Sequence, residues 1–178
     1  MAVRRSLHIT ITRGLVLGEV DGRARTLDLR VSSAKVLGSL LRHSFPSLRS
    51  VKLVSRFPRE VDEDGHPVPP WLHTIATSHP VPETLTTIVL QRYHTLKDND
   101  CCKEVVGTSE EVVGSEKQLP ELLPNLAKLK IRLDQCKNPG KCAAYIWSIL
   151  PGMHNVLMFE YRTGVFGHWT PYTLPAMQ

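Results

Sequence analysis

Eight histidines and four cysteines are the residues of this 178-residue chain whose types suit metal binding or nucleophilic chemistry. His66, His73, His79 and His94 follow one another at intervals of 7, 6 and 15 residues. A helical metal pair needs two imidazoles one turn apart, at i and i+4, and none of these intervals supplies it. Cys101 and Cys102 are adjacent, and Cys136 and Cys142 have five residues between them, so neither pair has the spacing of a zinc finger or ribbon. The Lys103 ammonium would favour a thiolate at Cys102, but the sequence places no base or oxyanion donor beside it. Asp62-Glu63-Asp64 lacks the remaining oxygen ligands of a calcium loop. No Gly-x-Ser-x-Gly, His-Glu-x-x-His, Walker or Gly-x-Gly-x-x-Gly signature occurs. The reading is of a chain that is not an enzyme and holds no metal and no cofactor, with its cysteines as thiols rather than a disulfide framework.

What remains is recognition without covalent chemistry. Charged and polar residues alternate with aliphatic ones in several short stretches, and alternation sends them to one face of a strand. That face should present Arg30, Lys52, Gln91, Lys130, Arg132 and Glu160, together with Asp28, His8 and His154. Arg92, Tyr93 and Tyr161 fall at strand ends, and arginine and tyrosine are enriched at the energetic centres of interfaces. The set leans basic and predicts a protein partner, an acidic segment above all, held by hydrogen bonds and ion pairs. Nucleic acid is the second reading, and an enzyme of unrecognised type, with only the loop histidines and cysteines behind it, the third. Few aromatic residues interleave with the basic ones, which argues against stacking on single strands. Nothing in the sequence sets an oligomeric state.

The elements that must position these residues are legible in a recurring phrase, Leu-x-x-Val/Leu/Ile-x-Leu. It begins at Leu48, Leu85 and Leu126, and a fourth copy reads Met153-His154-Asn155-Val156-Leu157-Met158. Pro46, Pro124 and Pro151 stand two residues ahead of three copies, and Pro82 three ahead of the other. Helical periodicity precedes most copies: Val36, Leu37, Leu40 and Leu41 over 33–43, Trp71, Leu72, Ile75 and Ala76 over 69–78, and Ala143, Ile146, Trp147, Ile149 and Leu150 over 141–150. Proline cannot continue a helix and biases its predecessor to extended geometry. Each unit is therefore helix, stop, turn, strand. With two earlier alternating stretches, strands are predicted at 6–12, 26–31, 49–55, 86–92, 127–133 and 154–160. Helical returns between them imply a parallel sheet, half-buried under helices on one face. Residues 56–68 and 94–118 read as loops. Residues 1–162 form one α/β domain, and 163–178, with Phe166, Trp169 and Tyr172 among Gly and Pro, a capping tail.

Bulk properties agree with one soluble domain. The formal charge is +5, 42% of residues are hydrophobic and 22% charged, ordinary values for a globular chain. No apolar run approaches the roughly 18 residues of a membrane span, and the start lacks the apolar core of a secretory signal. An intracellular chain, cytoplasmic or nuclear, is expected.

Phe45-Pro46-Ser47-Leu48-Arg49-Ser50-Val51-Lys52-Leu53, Leu123-Pro124-Asn125-Leu126-Ala127-Lys128-Leu129-Lys130-Ile131 and Ile149-Leu150-Pro151-Gly152-Met153 resemble leucine-rich repeats, and more narrowly the divergent repeats of fungal F-box-like proteins. The resemblance spans about residues 24–161. It implies a leucine-rich-repeat-like α/β solenoid of about six strands, binding a protein partner on its strand face as in F-box-type substrate recognition. Two features depart from the pattern. The phrase intervals, from starts at 48, 85, 126 and 153, are irregular, and no regular asparagine follows the strands. An F-box itself is not recognisable.

Overall fold

The computed structural model describes residues 6–11, 26–31, 47–55, 72–73, 75, 83–93, 101–107, 119–150, 152–164 and 167–173. Six strands pair in chain order: β1 (Ser6–Ile11), β2 (Thr26–Val31), β3 (Ser50–Ser55), β4 (Thr87–Tyr93), β5 (Lys128–Asp134) and β6 (Leu157–Arg162). Every neighbouring pair among these is parallel. A two-residue strand, β7 (Thr170–Pro171), adds antiparallel to β6 and completes a seven-stranded sheet in the order β1 to β7. The chain is thus α/β with a mostly parallel sheet, and each strand is laid beside the last without reversal.

Alternation explains which face is covered. Val51, Leu53, Ile88, Leu90, Leu129, Ile131, Leu133, Leu157 and Phe159 are all buried and lie at matching register positions across β3 to β6. They join one core with residues from α1 (Cys101–Val106) and α3 (Pro139–Ile149), notably Val105, Val106, Ala143 and Ile146. Leu72 and Ile75, both helical, belong to it too. A four-residue helix, α2 (Leu119–Leu122), leads into β5. Removing one such side chain, as in Ile131→Ala, should cost about 2–5 kcal/mol.

The first leucine of each phrase anchors the unit. Leu48, Leu85 and Leu126, and Met153 in the fourth, are buried at 1, 4, 8 and 3% exposure. The polar residue just ahead stitches one unit to the previous one. The Thr84 hydroxyl donates to the Leu48 carbonyl at 2.6 Å, and the Asn125 amide donates to the Glu83 carbonyl at 3.0 Å.

Two expectations change. The last strand begins at Leu157, not at 154, because Met153 closes a tight turn in which the Val156 and Leu157 amides both donate to its carbonyl, at 3.0 and 2.9 Å. Met158 keeps the outward parity expected of His154 and Glu160 and is 40% exposed, while Leu157 and Phe159 face the core. Secondly, the segment 94–118 read as loop contains α1. Cys102, Val105 and Val106 provide its buried i, i+3, i+4 face. Gly107, at φ 89°, ends it in the left-handed conformation with its amide donating to the Lys103 carbonyl. The expected helix at 33–43, the loop at 56–68 and residues 174–178 of the tail lie outside the described residues.

Candidate interaction face

The outer face of the sheet is a grid set by register. One row runs Asp28, Lys52, Val89, Lys130, Met158, and the next Arg30, Val54, Gln91, Arg132, Glu160. A third, at the C-terminal strand ends, pairs Tyr93 with Asp134 and Asp134 with Arg162. The side chains of Asp28, Arg30 and Tyr93 are outside the described set, so these residues are placed by backbone alone.

Over β5 and β6 the charges are already matched. Glu160 accepts from Lys130 Nζ at 2.5 Å and from Arg132 Nε at 2.7 Å. Arg162 grips Asp134 with two parallel bonds, Nε to Oδ1 at 2.7 Å and Nη2 to Oδ2 at 2.6 Å, the fork geometry that gives arginine–carboxylate pairs their strength. Burial pushes the Glu160 carboxyl up, but the two hydrogen bonds and the charges of Arg132 and Lys130 outweigh it and hold the group below its ordinary 4.5. Trp169 lies across this cluster, its ring centre 5.1 Å from the Arg132 guanidinium and 4.9 Å from that of Arg162. Such cation–π contacts add about 0.5–1 kcal/mol each where partly exposed. On the other side of β6, Tyr172 packs against Phe159 and Tyr161, so residues 169–172 straddle the last strand.

The predicted binding residues therefore separate. Lys52, Lys130, Arg132 and Glu160 do share the outer face, with Gln91 beside them, although Gln91 and Glu160 are only 7 and 8% exposed. Arg92 does not belong to it: it shares the parity of Ile88 and Leu90, faces the helices and is 1% exposed. Tyr161 likewise points inward, against Phe159. His154 stands in the turn before β6, its Nε2 3.1 Å from the Trp147 carbonyl of α3, and so leaves the strand face altogether. Asp134, Arg162, Met158 and Trp169 join the face without having been anticipated. Alternation and register place the first three, Met158 sharing the parity of Glu160; Trp169 sits in an aperiodic tail that offers no such signal.

The accessible part of the face is its N-terminal half. Ser50, Lys52, Thr87, Val89 and Lys128 are half-buried and Met158 exposed, whereas Val54, Gln91, Asp134 and Glu160 nearer the C-terminal ends are buried. The mixture is small polar, aliphatic and basic. Among the described residues no group of three or more His, Cys, Asp or Glu is placed to hold a metal, and no helix is long and apolar enough to cross a membrane. No family model, curated protein or solved structure matches the chain.

Proposed function

We propose that this chain is a protein-interaction module, a leucine-rich-repeat-like solenoid that binds an extended segment of a partner across the N-terminal half of its outer sheet face. The observation that carries the reading is the sequential parallel ladder from β1 to β6. Parallel crossovers are right-handed in nearly every case, so repeated one-strand steps put connections on one side and leave a continuous face on the other. Solenoids bind through such extended surfaces.

The charge pattern favours a protein over nucleic acid. Lys130, Arg132 and Arg162 are committed to Glu160 and Asp134, so few cations remain on that half to release counterions from a phosphate backbone. Lys52, Lys128 and the aliphatic Val89 and Met158 suit a segment carrying both acidic and apolar side chains. Reversing Lys130 and Arg132 is therefore a poor test, because it breaks the Glu160 cluster and lowers stability along with any binding.

Site-specific photo-crosslinking is the cleaner experiment. A photoreactive side chain at Val89 should form protein adducts that Met158→Asp or Lys52→Glu placed in the same chain suppresses. The same probe at Ala144, exposed on α3, should form none of them. Adducts from Ala144 alone would move the interface to the helical side, and nuclease-sensitive adducts would establish the nucleic-acid reading instead.

A further inference from the structure

We propose that Cys136 and Cys142 form a redox-responsive pair, dithiol in this structure and closable to a disulfide that ties the end of β5 to the first turn of α3. Their Sγ atoms are 3.6 Å apart, and the two residues are 1 and 6% exposed. Both cysteines are present as thiols.

The backbone brings them together from two directions. Gln135, with φ at 54°, takes the left-handed conformation that a residue other than glycine seldom adopts. It turns the chain sharply after Asp134. Cys136 is then fixed by its amide, which donates to the Arg162 carbonyl at 3.0 Å. On the other side, Asn138 caps α3: its side chain accepts from the Lys141 amide at 3.2 Å and its carbonyl from the Cys142 amide at 3.1 Å. Pro139 at the first helical position stiffens this entry. Each thiol is thus carried on an anchored backbone, and the sulfurs have to close from 3.6 Å to the roughly 2.0 Å of a disulfide bond.

The oxidant is a low-molecular-weight disulfide such as oxidised glutathione. Cys142 is the attacking group, being the more exposed of the two and so the first that a dissolved disulfide reaches. Its sulfur displaces one glutathione thiolate and forms a mixed disulfide. Cys136, having lost its proton, then attacks the Cys142 sulfur and displaces the second glutathione as its thiolate, leaving the Cys136–Cys142 disulfide. Two electrons and two protons leave the protein, and two reduced glutathiones form. The enclosed loop is short, so the closed form gains a modest stabilisation confined to the junction of β5 with α3.

The full-length chain equilibrated in glutathione buffers of graded potential, then alkylated and digested with trypsin, provides the test. Cleavage after Arg132, Lys137, Lys141 and Arg162 puts the two cysteines on separate peptides, 133–137 and 142–162. In oxidising buffer these should appear as one linked species that reduction splits. Oxidation should raise Tm by about 5 °C, and Cys136→Ala, or Cys142→Ala if the first variant folds poorly, should abolish both the linkage and the oxidation-dependent rise. Complete alkylation of both cysteines under oxidising conditions, stable separate glutathione adducts, or linkage to Cys101 or Cys102 in place of this pair would each overturn the proposal.

Discussion

At Glu160, burial and charge pull in opposite directions and charge prevails. The carboxyl is held below its ordinary 4.5. A group depressed in the folded state contributes stability that is fully present above its unfolded value and fades as pH falls through its folded value. Glu160→Gln removes the negative charge and leaves Lys130 and Arg132 facing each other, which should cost about 1–3 kcal/mol near neutrality. In chemical denaturation the variant and the parent should converge as pH drops below 4.5, the value for the unfolded group; a difference constant down to strongly acid pH would mean that the pair is not the source. This cluster was half legible beforehand. Lys130, Arg132 and Glu160 alternate correctly in the sequence, but their mutual contact depends on the register of β5 with β6, which alternation does not specify. Gln91 and Arg92 are consecutive polar residues at a strand end, and only the inward frame carried by Ile88 and Leu90 assigns them to opposite faces.

At the scale of elements, the turns decide the frame. Gly152, at φ 81°, precedes β6, and a Cβ there would meet Pro120 Cγ at 3.1 Å. Gly152→Ala should therefore lower stability by about 1–2 kcal/mol through backbone strain and contact together, read as a shift in denaturation midpoint. Asn138→Ala should cost about 1 kcal/mol by removing the cap of α3, with amide exchange quickening first at Lys141. Most elements were readable because leucine spacing and proline stops agree with one another: β3, β4 and β5 fall within one residue of the positions that the phrase predicts. The fourth copy has the same letters but a different turn, so its strand starts three residues later than expected. The helix α1 was hidden because it is six residues long, flanked by polar residues and closed by Gly107, features that loops share.

For the whole molecule, the consequence of strictly sequential pairing is that the two margins of the sheet are far apart in both sequence and chemistry. An unpaired strand margin is a template on which another chain can add. At the β6 margin, Thr170 and Pro171 already occupy the pairing positions opposite Tyr161 and Glu160. The added strand is two residues long and its proline has no N–H to offer, so it ends the ladder where a longer strand would have continued it. Residues 170–172 then cover this margin of the sheet. A chain lacking them should self-associate in a concentration-dependent way, seen as heavier species in sedimentation velocity, while the full chain does not. Pro171→Val, which restores a donor at the margin, should shift the balance in the same direction by a smaller amount.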